Sequence, residues 1–164
     1  MRLSLLLMAF GGTLMQSSLV PSLSMGGVTP DLPLIVTALL ALRRGPEAGC
    51  VVGFVAGLLQ DAAGGGLLGV QAATRAIGGF AMGLLPGRFW IDHPLVQVPG
   101  LILLTVADGL LRFGLLQLFH FPASLGELLT RVILPQALYN GFLGAACLLA
   151  IEGVQALRRR HTWI

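Results

Sequence analysis

Residues 45–69 read GPEAGCVVGFVAGLLQDAAGGGLLG. Glycine or aspartate falls at every fourth position: Gly45, Gly49, Gly53, Gly57, Asp61, Gly65 and Gly69. Residues four apart share one face of an α-helix. A row of glycines on an otherwise apolar helix leaves a smooth groove, where a second helix can approach main chain to main chain. In lipid such close packing drives helix association, because the surrounding acyl chains are as apolar as leucine. The row contains a carboxylate that a lipid-facing helix bears only at high energy. The segment is therefore expected to pack against protein, inside a membrane, beside something polar. A second row, Gly79, Gly83 and Gly87, gives the following helix the same kind of face. Two uses are open to these faces: packing on each other, or receiving a partner's transmembrane helix.

Composition agrees with a lipid environment. The 164 residues are 55% hydrophobic and 10% charged, with a mean hydropathy of +0.88. Soluble domains carry roughly 25% charged residues, so this chain lacks the charge to cover a water-facing surface. A single polytopic domain over residues 1–164 is the simplest organisation. The net charge of +3 does not indicate nucleic acid. The only basic run, Arg158–Arg160, follows a hydrophobic helix and has no interleaved aromatics. Cys50 and Cys147 lie in apolar stretches and read as small packing residues rather than a disulfide or metal pair.

Six hydrophobic segments meet or approach the roughly 17–25 residues a membrane helix needs. They run about Leu3–Leu23, Asp31–Leu42, Pro46–Gln60, Leu67–Leu85, Pro94–Phe119 and Leu128–Leu157. The first reads as an uncleaved span rather than a signal peptide, since no small-residue cleavage site follows it. The second is short, and a partly unwound or shielded segment is expected there. Pro135 should kink the last. With the N-terminus in the cytoplasm, Arg2, Arg43, Arg44, Arg88 and Arg158–Arg160 all fall inside. The outer loops 24–30, 61–66 and 120–127 contain no Arg. That asymmetry predicts an all-α integral membrane protein, a six-transmembrane-helix bundle with both termini cytoplasmic. Trp90 and Trp163 then sit at the cytoplasmic interface.

Several charges remain within the spans: Arg75, Asp108, Arg112 and Arg131, with Asp61 closing the third. Charges at such depth are expected to pair. Asp108 and Arg112 are four apart on one helix and can pair directly. Asp61 is a candidate partner for Arg75 or Arg131. The cluster is either a salt-bridge network that fixes helix register or an outward-facing polar cavity for an anion or a partner's polar group. Three Arg against two Asp (Asp61 and Asp108) lean toward an anion. Gln136, Tyr139 and Asn140 are expected to satisfy carbonyls freed by Pro135. No nucleophile elbow, metal-ligand spacing or phosphate-binding loop is present in the sequence, so neither an enzyme nor a cofactor is expected.

The region from Pro30 to Ala73 resembles the rod shape-determining membrane protein MreD family. The matching pieces are Pro30-Asp31-Leu32, Arg44-Gly45-Pro46, Gly57-Leu58-Leu59-Gln60-Asp61 and the glycines from Gly65 to Gly69. Gly64 stands where that family usually has Ser, and Val70 where Leu is common. Arg75 is a charge the pattern does not anticipate. The resemblance implies a non-enzymatic scaffold in the bacterial inner membrane. It implies direct binding of MreC, a single-span protein with a periplasmic domain, and work alongside MreB, RodA and a class B penicillin-binding protein in lateral cell-wall synthesis. It also implies a likeness to the six-helix S-component fold of energy-coupling-factor transporters, which bind small molecules from outside. On this reading Gly49, Gly53, Gly57, Gly65, Gly69, Gly79 and Gly83 supply helix-packing or partner faces. Asp31, Asp61, Arg75, Asp108, Arg112 and Arg131 form a buried polar network. A small-molecule importer subunit or a flippase-like protein is the alternative.

Overall fold

The computed structural model describes residues 7, 10–16, 24, 27–65, 67–85, 94–120 and 124–161. The rest of the first span, Gly87, Arg88, Trp90 and Trp163 lie outside the described residues, as do the side chains of 151–161. The regular structure described is helical, without a β-strand. A first helix, α1, covers 10–16. It is followed by α2 (Leu32–Arg44), α3 (Pro46–Gly64), α4 (Val70–Gly83) and α5 (Pro94–Leu118). A single turn α6 (Leu125–Leu128) then runs through a π-helical segment, Leu129–Ile133, into α7 (Leu134–His161).

Local sequence sets these boundaries. Asp31 caps α2, its carboxylate accepting from the Leu34 amide at 3.1 Å, and Pro33 occupies the first turn, where its missing N–H leaves no gap in the hydrogen bonding. Gly45 separates α2 from α3 at φ +88, a conformation that needs glycine. Pro46 then opens α3. The π turn precedes Pro135. A proline ring clashes with the carbonyl four residues back, here that of Arg131, and the widened turn makes room for it. The Leu134 amide accordingly donates to the Leu129 carbonyl, five residues back. The kink expected at Pro135 is thus a π turn on its N-terminal side.

The packing centres on α2. At 13 residues and 1.5 Å each it reaches only about 20 Å, short of a bilayer core. Its neighbours α3, α4, α5 and α7 surround it. Leu34, Ile35, Ala38 and Ala41 are buried, with Met82 of α4 and Leu101 and Leu104 of α5 in the same cluster. The outward faces stay apolar: Phe54, Leu103, Leu138, Phe142 and Leu149 are exposed. Among the described residues two stretches, Gln97–Leu118 and Leu125–Ala150, are long and apolar enough to cross a membrane.

The most extensive helix contact is between α3 and α4, which run antiparallel face to face. A Cβ on Gly49 would lie 2.8 Å from the Gly79 carbonyl carbon, and one on Gly79 would lie 2.7 Å from that of Gly49. A Cβ on Gly53 would meet the Arg75 carbonyl carbon at 2.7 Å, and one on Gly57 the Ala72 Cα at 2.6 Å. Gly83 abuts Pro46 and Gly45 in the same way, 2.5 Å from the Pro46 nitrogen. Each step of four along α3 meets a step of about four back along α4. Glycine Gly49, Gly53 and Gly57 thus bring two main chains into contact.

The row does not continue as one helical face. Gly65 closes α3 at φ +64 and Gly69 precedes α4 at φ +97, and neither has a neighbour within 4 Å of an added Cβ. Both serve the α3–α4 turn rather than helix packing. The spacing of four runs on through the turn because left-handed positions also select glycine.

Candidate functional site

Arg75 is the largest fully buried side chain among the described residues, at 0% exposure. With Gly53 against its main chain, its guanidinium extends toward the start of α2 and pairs with the Asp31 carboxylate. The Gln71 side-chain carbonyl accepts a second bond from the same Nη2 at 3.2 Å. Nε and Nη1 have no hydrogen-bond partner among the described residues. Arg75 is therefore paired with Asp31 and not with Asp61.

Asp61 does different work. It is 3% exposed, and its carboxylate accepts from the Gly69 amide at 2.9 Å and from the Gln71 and Ala72 amides at 3.2 Å. These include the first turn of α4, whose amides have no partner within the helix. The positive end of the helix dipole adds to the attraction. The last acidic residue of α3 thus caps α4 and fixes the turn between them. That is the physical reason for an aspartate at this point of the Gly57-Leu58-Leu59-Gln60-Asp61 motif.

Residues Thr29–Leu32 leave main-chain groups to be satisfied before α2 is established. Side-chain amides from distant helices satisfy them. Gln16 of α1 donates to the Pro30 carbonyl at 3.0 Å and accepts from the Leu32 amide at 2.9 Å. Gln136 of α7 donates to the Thr29 carbonyl at 3.1 Å. Asn140 of α7 accepts from the Asp31 amide at 2.8 Å and donates to the Thr105 hydroxyl of α5 at 3.3 Å. Gln136 and Asn140 therefore serve the lead-in to α2, not the carbonyls near Pro135. Their partners lie 107 and 109 residues away, so sequence spacing gave no sign of the pairing.

Asp108 and Arg112 of α5 form the i,i+4 pair at 3.1 Å, with Asp108 buried and the Arg112 side chain 31% exposed. Arg131 lies outside this polar interior. Its side chain is 78% exposed and faces Glu127 at 3.9 Å, and the buried residue of the π turn is Ile133. The interior charges are then Asp31, Asp61 and Asp108 against Arg75 and Arg112. The arginine excess that favoured an anion is gone. Cys50 and Cys147 are free.

These groups border a cavity of about 310 Å³. Gln16, Thr29 and Asp31 line one side, Gln60, Ala63 and Gly64 the α3 end, and Gln71, Arg112 and Gln136 the remainder, with Thr13 beside them. Its walls are mainly uncharged amides and hydroxyls, with one carboxylate and one guanidinium already paired. Gln60 Oε1 and Arg112 Nε are buried without a partner among the described residues. Such a surface offers donors and acceptors in mixed order and suits a polar group of either kind. No group of three metal-ligating side chains occurs among the described residues.

An apolar helical bundle with membrane-length helices and a polar, cavity-bearing interior defines a helical membrane protein. Residues 1–154 match the rod shape-determining protein MreD family, and the chain belongs to that family. The role that membership gives is rod shape determination. No curated protein and no solved structure matches the chain.

Proposed function

We propose that this chain is a non-enzymatic, multi-pass scaffold of the rod machinery in the bacterial inner membrane, acting as one domain. On this reading six helices cross the bilayer with both termini cytoplasmic and the cavity opening outward, an orientation that the arginine distribution supports. The scaffold binds MreC and through it influences lateral peptidoglycan synthesis by MreB, RodA and a class B penicillin-binding protein. It needs no cofactor.

The observation that carries the reading is the cavity beside the Asp31–Arg75 pair. A bundle that only had to fold would be better served by apolar packing there. The glycine faces are filled by α3 and α4 themselves, and the reading places MreC on the cavity and the outer loops instead. The test is purification of the chain in mild detergent at native expression, with mass spectrometry of what accompanies it. Recovery of MreC supports the scaffold.

A second reading follows from the cavity's size. Small-molecule sites occupy about 300–1,000 Å³, and a bundle resembling the S-component fold would bind a solute from outside. Recovery of a stoichiometric small molecule, or of an ATPase and its coupling subunit, would replace the scaffold with a transporter subunit.

A further inference from the structure

The arm that leads into α7 is held to the body at one residue. Among residues 124–133 only Ile133 is buried. Its side chain sits on Gly109 of α5, where an added Cβ would come within 2.7 Å of Ile133 Cγ1. The arm 124–133 is continuous with α7 through the π turn, a rare five-residue pattern found frequently at functional sites. Two residues past the π turn's capping residue Leu134 stands Gln136, which both lines the cavity and holds the Thr29 carbonyl.

We infer that Gln136 is a latch that couples occupancy of the cavity to the position of the α7 arm. A group entering the cavity meets the Gln136 amide, one N–H of which is already given to the Thr29 carbonyl. An occupant whose own acceptor takes that N–H competes with the Thr29 carbonyl and loosens the first turn of α7 from the lead-in to α2. The next fixed point is Ile133 on Gly109, and the π turn between it and Ser124 is the place where the arm can change register. Asn140, one turn further along, remains bound to Asp31 and Thr105, so the body of α7 stays in place while its outer end moves. The inference rests on the reading of the cavity as a binding site.

Hydrogen exchange with mass spectrometry on the full chain in nanodiscs tests it, comparing peptides covering 125–133 and 46–64. Gln136→Met keeps side-chain length and removes the amide. The latch predicts about fivefold faster exchange in 125–133, the factor that loss of one buried hydrogen bond allows, with 46–64 unchanged. Ile133→Ala releases the arm without touching the cavity and should raise the same peptide's exchange. Unchanged exchange in 125–133 for Gln136→Met, while Ile133→Ala raises it, overturns the latch. If Gln136→Met also raises exchange in 46–64, the whole bundle has loosened, and Gln136→Asn, which keeps the amide but shortens its reach, replaces it under the same criterion. Adding MreC separates the two readings. MreC that binds and changes exchange in 125–133 supports both. Bound MreC that leaves 125–133 unchanged overturns the latch and leaves the scaffold standing. Failure of MreC to bind overturns the scaffold, and the exchange of the single variants then decides the latch alone.

Discussion

Gly53 lies against the main chain of Arg75, so that an added methyl would come within 2.7 Å of the arginine's carbonyl carbon and 3.1 Å of the Thr37 methyl. The small residue and the buried cation are parts of one arrangement. Close approach of α3 to α4 leaves the Arg75 side chain directed at α2, where Asp31 receives it.

Substitution at Gly53 should therefore unfold the bundle before it affects any partner. Gly53→Ala forces two backbones apart and is expected to destabilise by about 1–3 kcal/mol, the usual range for overpacking. Gly53→Leu should prevent folding. Gly114, with nothing within 4 Å of an added Cβ, is the control, and Gly114→Ala should be neutral or stabilising by up to about 1 kcal/mol. Thermal unfolding in detergent decides this, and equal midpoints for the two alanine variants would remove the close contact from the account.

Breaking the Asp31–Arg75 pair on one side leaves a buried charge alone. Arg75→Met or Asp31→Leu is expected to lose about 3–5 kcal/mol. The double variant should recover a large part, because no uncompensated charge remains. A double variant no better than the sum of the singles would show that the pair is not the principal partner of either residue.

Asp61→Ala strips the acceptor from three amides at the α3–α4 turn. Loss of a helix cap costs about 0.5–2 kcal/mol, and more is expected here because three donors lose their acceptor. Exchange of amides 67–72 should accelerate, and Asp61→Asn should restore part of the protection. If Asp61→Ala leaves those amides as protected as before, the cap is misassigned.

Filling the cavity should separate binding from folding. Ala63 borders it and is exposed, so Ala63→Trp can place an indole inside without displacing the core. MreC recovery should fall about tenfold or more, the effect of losing well-packed contacts worth over 1.4 kcal/mol, at an unchanged unfolding midpoint. Full MreC recovery with a folded variant would move the binding surface away from the cavity.

Much of the α3–α4 unit was legible in the sequence because close packing in lipid has few solutions. Small residues four apart on two successive apolar segments specify a near main-chain contact, and Gly49, Gly53, Gly57, Gly79 and Gly83 make it. Gly65 and Gly69 share the spacing but answer to a turn, a distinction carried by φ and not by residue type. The pairing of charges was not legible either. Asp61 and Asp31 are both carboxylates at one end of an apolar segment, and only the position of the α4 amides reveals which one caps α4 and which one pairs with Arg75. The amides Gln16, Gln136 and Asn140 were visible as polar residues in apolar runs. Their common target, Thr29–Leu32, follows only from how α1 and α7 are placed around α2.

The Asp31–Arg75 pair joins residues 44 positions apart, so its two halves leave the ribosome at different times. At about 5–20 residues per second, Asp31 waits some 2–9 seconds for its counter-ion. During that interval α2, short and carrying a naked carboxylate, has no stable place in lipid alone. The pair therefore forms only once α4 has been made, so α2 acquires its ionic partner after α3 has already been synthesised.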